Sequence, residues 1–143
     1  MAILRLTFSN QLSEIRRVGF ALAEFLEEEG VTPGTTHRVR LVVEELIVNV
    51  IQHAFVDGDP HTALLDIRTE PGGIAIVVED DGVPFDPSKA HTPALQDLVK
   101  AGKSGGLGVE IIRKIASDLS YERVDGKNRV RAFVAHASRN TPR

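Results

Sequence analysis

Two polar side chains one helical turn apart are the strongest chemical signal in this sequence. Glu45 and Asn49 interrupt the largely apolar segment 40–55, RLVVEELIVNVIQHAF. This many apolar positions predict a buried helix. On that helix Glu45, Asn49 and Gln52 would form one polar stripe with His53 at its edge. Because an unpaired buried carboxylate is costly, the stripe predicts a ligand or metal contact, and a hydrogen-bonded structural pair is the alternative.

Two glycine-containing motifs follow along the chain. The apolar run 74–79 leads into Asp80-Asp81-Gly82-Val83-Pro84-Phe85-Asp86, where a carboxylate at a strand end can accept a hydrogen bond from an amine such as that of adenine. The segment Gly105-Gly106-Leu107-Gly108 precedes a helical pattern, and glycines at a helix start allow backbone N–H groups to surround a phosphate. Each motif also has a structural alternative, an Asp-Gly turn and a flexible loop respectively.

The composition excludes several kinds of site. A chain of 143 residues that is 42% hydrophobic fits one globular domain over 1–143. The net charge of −3 gives no general field to attract nucleic acid or an acidic membrane. The absence of cysteine excludes disulfides, thiolate metal sites and a cysteine nucleophile. The first ten residues contain Arg5 and no long apolar run, so we expect neither a signal peptide nor a membrane span, and a cytoplasmic location.

The periodicity of the remaining sequence predicts the elements that position these motifs. A strand over 3–8 precedes a helix that Ser9 or Asn10 would cap and Gly30 would end. Thr32 would cap the central helix, which begins between 33 and 37. Strands 63–69 and 74–79 form a predicted hairpin. A lid follows over about 87–105, with a possible short helix over 94–99. The chain then continues as a helix over 107–117, strands 119–123 and 129–135, and a frayed tail over 136–143. This order predicts an α+β fold, a two-layer sandwich with helices on one face of a mostly antiparallel sheet.

Taken together, the motifs resemble those of a known superfamily. Glu45-x-x-x-Asn49, Asp80-x-Gly82-x-Pro84-Phe85-Asp86 and Gly106-x-Gly108 are similar to the N, G1 and G2 boxes of the GHKL ATPases, which include DNA gyrase and the histidine kinases and share the Bergerat ATP-binding fold. The resemblance extends from about Phe8 to Val134. Within the superfamily, the chain most resembles the anti-sigma-factor serine/threonine kinases of bacterial partner-switching systems.

The resemblance implies a function for each matching residue. Glu45 would be the catalytic carboxylate, Asn49 the ligand of a Mg²⁺ ion that bridges the phosphates, and Asp80 the adenine-binding carboxylate with Gly82 behind the base. The remaining residues that the resemblance implies for ATP or ADP binding are Phe85, Lys103, Ser104, Gly105, Gly106, Leu107 and Gly108. Lys103 in the lid could approach the terminal phosphate. His53 would be a residue at the pocket edge and not a catalytic one. Many relatives have glycine where this chain has Pro84, and its lid is shorter than that of the histidine kinases.

The implied activity is transfer of the γ-phosphoryl group of Mg·ATP to a serine or threonine of a STAS-type anti-sigma-factor antagonist. The implied partners are that antagonist, a sequestered sigma factor or similar regulator, and a second copy of the chain in a homodimer, with the first strand and first helix as partner surfaces and Arg17 as a contact. No direct nucleic-acid or membrane partner is expected. Two alternatives remain, a nucleotide-gated binding module with little kinase activity and a stand-alone histidine-kinase-like ATPase domain.

Overall fold

The computed structural model describes residues 1–55, 57–87 and 108–137 of the chain. The strands are β1 (Ile3–Ser9), β2 (Thr62–Glu70), β3 (Gly73–Asp80), β4 (Asp118–Val124) and β5 (Lys127–Ala135), and the α-helices are α1 (Glu14–Glu28), α2 (Pro33–Asn49) and α3 (Gly108–Ile115). The five strands form one sheet in the order β1-β2-β3-β5-β4, and every neighbouring pair is antiparallel. The predicted α+β fold with helices against an antiparallel sheet is confirmed.

The hydrophobic core lies between the helices and one face of the sheet. Alternation along each strand places every second side chain on that face, as in β3, where Ile74, Ile76 and Val78 are fully or almost fully buried. From the helical side, Leu22 of α1, Leu46 of α2 and Ile112 of α3 pack into the same core. The burial of this shared apolar surface fixes the position of α2 over the sheet.

The central helix begins where the sequence predicts but does not continue as one regular helix. Thr32 is the N-cap, and its hydroxyl accepts a hydrogen bond from Thr35 N at 3.4 Å. After Asn49 the chain changes to a π-helical turn over Val50–Ala54, which moves each following side chain to a different angle around the axis. Gln52 and His53 are consequently exposed. The predicted polar stripe is therefore buried at Asn49 and exposed at Gln52 and His53.

The first helix starts later than the predicted cap at Ser9 or Asn10. Its N-cap is Ser13, which makes no side-chain cap hydrogen bond. Asn10 instead joins two chain segments, because its side chain donates to Asp59 O at 3.0 Å and accepts from His61 N at 3.3 Å. Ser9 N donates to Glu14 Oε1 at 2.9 Å. The helix ends before Gly30, whose φ of 75° is the left-handed conformation typical of a helix stop.

The two hairpins match their sequence signals. Asp125 and Gly126 both have positive φ, 52° and 76°, as a tight two-residue turn between antiparallel strands requires.

The helix predicted over 107–117 is found as α3, and it packs against α2. No helix within the described parts of the chain is long and apolar enough to span a membrane. The short helix considered for 94–99 and most of the predicted lid and tail lie outside the described residues.

Candidate active site

Glu45 and Asn49 present unsatisfied polar atoms on the same side of α2. Asn49 is only 5% exposed. Among the residues that the structure describes, Glu45 Oε2 and Asn49 Nδ2 are buried and have no hydrogen-bond partner. A buried polar atom without a partner costs about 1–3 kcal/mol, so a helix that carries two of them one turn apart fits an external ligand better than a purely structural pair. The amide oxygen of Asn49 is a ligand type that suits a nucleotide-bound Mg²⁺ ion, and the unpaired Nδ2 is a hydrogen-bond donor that suits a phosphate oxygen.

The environment of Glu45 disfavours its charged form. Burial in the surrounding apolar side chains raises the pKa of Glu45 above its ordinary value of 4.5, and the neighbouring carboxylate of Glu44 raises it further. A carboxylate whose pKa is raised toward neutrality is a better proton acceptor than an ordinary surface glutamate. The local chemistry of Glu45 therefore fits a general base.

We expect Glu45→Gln to raise the Tm of the protein at neutral pH, because the amide carries no charge that burial disfavours. Because the folded-state pKa is raised, the native protein binds more protons than the unfolded chain between the unfolded and folded pKa values, and its stability falls as pH rises through that window. The gain in Tm should thus shrink as pH falls through the raised pKa of Glu45 and should be lost below the ordinary value of about 4.5. Thermal melts from pH 4 to 8 measure it.

Glu28→Gln is the control, since Glu28 is an exposed glutamate at the end of α1, and its free energy of unfolding should change by less than about 0.5 kcal/mol. A Glu45→Gln variant that melts at or below the parent at neutral pH would contradict the assigned burial cost.

Asp80 is held at the end of β3 through one of its two oxygens. Its Oδ1 accepts hydrogen bonds from Gly82 N at 2.8 Å and from Asn128 Nδ2 at 2.9 Å. Asp80 is 5% exposed, and both of its side-chain hydrogen bonds with residues that the structure describes fall on Oδ1, so Oδ2 remains available to a ligand. Burial raises the pKa of Asp80, while the hydrogen bonds from Asn128 and Gly82 act in the opposite direction. The side chain is thus arranged as a directed hydrogen-bond acceptor.

Asn128 is a site residue that the sequence interpretation missed. It lies opposite Asp80 in the β3–β5 register and is 2% exposed. Its amide nitrogen also donates to Val83 O at 2.8 Å, and its amide oxygen accepts from Tyr121 Oη at 2.6 Å. The sequence does contain a signal for Asn128, because period-two alternation along β5 places it on the same face as Val130. A single polar residue on the core face of a strand needs partners, and here Asp80 is one of them.

Gly82 allows the loop after β3 to approach the end of the π-helical turn. Val83 N donates to Ala54 O at 2.8 Å, and a Cβ at Gly82 would collide with that same carbonyl oxygen, with the Ala54 carbonyl carbon at 2.6 Å and with its Cβ at 2.7 Å. Backbone atoms cannot move aside as a flexible side chain can. The glycine is therefore required by close packing, and not by a left-handed conformation.

We expect Gly82→Ala to push the 81–87 loop away from Ala54, lowering Tm by several degrees and weakening nucleotide binding by at least about tenfold. Overpacking of this kind costs roughly 1–3 kcal/mol. Differential scanning fluorimetry and ADP titration measure the two effects. Gly34→Ala is the control, because nothing lies within 4 Å of a Cβ placed there and alanine is favoured in a helix. Equal behaviour of the two variants would refute the packing argument.

A narrow cavity joins the predicted residues of α2 and β3. Its lining comprises Leu46, Asn49, Val50, Ala54, Val78, Asp80, Phe85, Pro87 and Val130. Phe85 closes one side, where its ring stacks on His53 with centroids 4.7 Å apart and an interplanar angle of 19°. The space inside is about 10 Å³, the room of about one water molecule. A purine ring is larger than this space, so the lining of the cavity must rearrange for one to enter.

The structure brings together some of the predicted site residues and does not describe others. Asn49, Asp80 and Phe85 line one cavity, Glu45 lies one turn before Asn49, and Gly82 supports the loop that carries Phe85. Gly108 is the first residue of α3. Five predicted phosphate-side residues, Lys103, Ser104, Gly105, Gly106 and Leu107, lie outside the described residues.

The chain is similar to known proteins over most of its length. Residues 8–134 match the histidine kinase-like ATPase domain family. The chain belongs to this family. The resemblance to GHKL ATPases is thereby confirmed, and ATP is the nucleotide that the family implies. Among characterised proteins, the chain is 31% identical over 98 residues to the serine/threonine-protein kinase BtrW of Bordetella bronchiseptica, with 68% of each protein covered.

Two solved structures have the same fold as this chain. A chain of the SiaB–SiaC complex from Pseudomonas aeruginosa superimposes with a TM-score of 0.66 at 24% identity, over 92% of this chain and 89% of that chain. The blue-light activated histidine kinase EL346 of Erythrobacter litoralis superimposes with a TM-score of 0.54 at 24% identity, over 74% of this chain and 32% of that chain. These similarities support the GHKL-type fold.

Proposed function

We propose that this protein is an ATP-dependent serine/threonine protein kinase that phosphorylates a protein antagonist in a partner-switching system. The observation that carries the proposal is the pair of unsatisfied buried atoms, Glu45 Oε2 and Asn49 Nδ2, on the helix that lines the Asp80 cavity. The similarity to a serine/threonine-protein kinase over two thirds of the chain supports the same reaction class.

In the proposed mechanism, Asp80, Asn49 and Glu45 have separate roles. Asp80 would accept the hydrogen bond of the adenine amine through Oδ2, and Asn49 would hold Mg²⁺ through its amide oxygen. The metal, when bound, neutralises phosphate charge, which phosphoryl transfer requires. Glu45 accepts the proton of the attacking hydroxyl group. For the glycines at 105, 106 and 108, together with Lys103 and Ser104, phosphate binding stays a prediction from the sequence.

The outer face of α1 is the surface that we propose for the protein partner. Phe20 is 72% exposed and Leu12 is 60% exposed, and together with Arg16 and Arg40 they border a groove between α1 and α2. Apolar side chains this exposed are typical of contact surfaces. Arg17, the contact residue predicted from the resemblance, forms hydrogen bonds within the chain instead.

The Arg17 side chain forms hydrogen bonds with one residue of α1 and one residue of β1. Its Nε donates to Glu14 Oε2 at 2.7 Å and its Nη2 donates to Thr7 O at 2.6 Å. The guanidinium group lowers the pKa of Glu14 to about 2. Arg16, on the neighbouring position of the helix, is therefore the better candidate for a cation that meets a partner.

The partners themselves are proposed from the family. We propose a STAS-type antagonist as the substrate, a sigma factor or similar regulator as the sequestered target, and a homodimer as the working assembly. Light scattering tests the last point, because a dimer of this 15.6 kDa chain would have twice that mass. A monomer mass at high protein concentration would contradict it.

Affinity capture with γ-labelled ATP tests the kinase proposal. The tagged protein is incubated with lysate of its source cells in Mg·ATP or Mg·ADP, and captured proteins are identified by mass spectrometry. We expect a small acceptor labelled on serine or threonine in an acid-stable linkage, and released after labelling. An acid-labile phosphoryl group would indicate a histidine acceptor. Nucleotide-dependent capture without any label would indicate a nucleotide-gated binding module.

A further inference from the structure

Four hydrogen bonds fix the side chain of Asn128 directly behind Asp80. Its two amide hydrogens bind Asp80 Oδ1 and Val83 O, and its amide oxygen accepts from Tyr121 Oη and from Phe85 N at 3.3 Å. An amide side chain has two donor hydrogens and two acceptor lone pairs, so all four positions are used. The backbone partners determine its orientation, because a flipped amide would set its oxygen against Val83 O and Asp80 Oδ1.

This network restricts how Asp80 can face a ligand. Two N–H donors, from Gly82 and Asn128, converge on the single oxygen Oδ1. Both are donors to the ionised carboxylate, and together they prevent the carboxylate from rotating or sliding along the pocket. Asp80 therefore presents Oδ2 as an acceptor in one direction only.

We propose that Asn128, oriented by Tyr121, is the positioning residue that makes this site selective for a 6-aminopurine nucleotide over a 6-oxopurine nucleotide. The inference rests on the proposed binding of adenine by Asp80. In this proposal, Asn128 and Tyr121 of the β4–β5 hairpin act on the choice of base through Asp80. Neither residue contacts the base.

The chemistry of the purine edge explains why anchoring matters. A 6-aminopurine offers a donor at C6, whereas a 6-oxopurine offers an acceptor at C6 and a donor at the adjacent N1. A mobile carboxylate could move from the first donor to the second and bind both kinds of base. A carboxylate anchored through Oδ1 cannot follow, and an acceptor at C6 then faces the acceptor Oδ2, which leaves both groups unpaired.

The same network sets the acid dependence of binding. The charged groups that act on Asp80 are Asp81 in the following position and Arg123 of β4, whose Nη1 donates to Gly82 O at 2.7 Å. The cavity lining contributed by α2 and the π-helical turn is Leu46, Asn49, Val50 and Ala54, none of which titrates. Because the Asn128 donor favours the ionised carboxylate, its removal should move the pH at which Asp80 takes up a proton upward.

Calorimetric titration with ADP and with IDP, which differ at position 6 and at the N1 proton, tests the inference between pH 5 and pH 8. For Asn128→Ala we expect ADP affinity to fall by about 10- to 100-fold, the range for one hydrogen bond to a charged group. We also expect the preference for ADP over IDP to shrink by about tenfold, and the loss of ADP binding on acidification to begin at higher pH. Tyr121→Phe, which removes one hydroxyl group, should move all three quantities in the same direction by a smaller amount.

Asn10→Ala is the matched control, because Asn10 also bridges chain segments through its amide but does so away from Asp80. It should keep the parent base preference and pH profile. A purely structural effect of Asn128 would weaken both nucleotides equally, and an unchanged ADP-to-IDP ratio in both Asn128→Ala and Tyr121→Phe would overturn the inference. If Asn128→Ala does not fold, Tyr121→Phe decides. Parent protein that binds neither nucleotide would instead overturn the proposed function.

Discussion

Replacing Glu45 by glutamine is expected to reduce phosphoryl transfer to the protein acceptor by about 10²–10⁴-fold, the range typical of removing a general base. Glutamine keeps the size and shape of the side chain but cannot accept the hydroxyl proton. Nucleotide affinity should change by less than about threefold, because Glu45 is not among the residues that line the Asp80 cavity. Single-turnover labelling of the captured acceptor, with ADP titration in parallel, separates the two quantities.

Glu28→Gln controls for the loss of a negative charge from a helix, since Glu28 is an exposed glutamate at the end of α1, and it should transfer at close to the parent rate. The pH profile is a second check. Because the pKa of Glu45 is raised by burial and by Glu44, the parent rate should rise with pH through that elevated pKa, and the Glu45→Gln variant should lack this rise. Transfer by Glu45→Gln at the parent rate would remove Glu45 from the mechanism.

Asp80→Asn is expected to weaken ADP binding by about 100-fold or more. The donors Gly82 N and Asn128 Nδ2 both require an acceptor at the Oδ1 position, so the amide oxygen of the variant must take that place. Its NH₂ group then faces the adenine amine, and two donors oppose each other. Losing one hydrogen bond and leaving a buried donor unpaired together account for about 3 kcal/mol.

Isothermal titration calorimetry measures this loss, and thermal melts show whether the variant stays folded. Burial raises the pKa of Asp80, so an uncharged asparagine should not lower Tm at neutral pH. The control is Asp81→Asn, because the Asp81 side chain is 61% exposed and should bind ADP as the parent does. Parent-like affinity of Asp80→Asn would mean that the base does not contact this carboxylate.

Much of the fold could be predicted because local patterns and tertiary packing agree. The alternation of Leu4, Leu6 and Phe8 and the Asp125-Gly126 turn each report a local constraint that the structure retains. The predicted start of α2 at Thr32 and Pro33 is correct for the same reason, since a hydroxyl cap and a first-turn proline act within four residues.

The errors arose where a distant contact overrides the local pattern. The cap expected at Asn10 is absent because that side chain bridges to Asp59 and His61, about fifty positions along the chain. The helix after Asn49 widens to a π-helical turn, whose final carbonyl at Ala54 accepts from Val83. No periodicity within 40–55 could reveal this, because the partner belongs to the loop after β3.

For the candidate site, the sequence indicated the residue types but not the network that orients them. Glu45, Asn49 and Asp80 stand out as polar groups next to apolar runs, and the structure places them around one helix and one strand end. Asn128 and Tyr121 act on Asp80 across the sheet, and this relation depends on the β3–β5 and β4–β5 registers. Strand pairing of this kind is a tertiary property that single-sequence alternation does not specify.

Titration of the purified protein with Mg·ATP in a calorimeter is the most direct test of the nucleotide site. We predict a saturable heat signal with one nucleotide per chain, weakened by about 100-fold or more in Asp80→Asn and retained by Glu45→Gln and Asp81→Asn. A parent protein that gives no heat of binding, or a signal that Asp80→Asn leaves intact, would contradict the account.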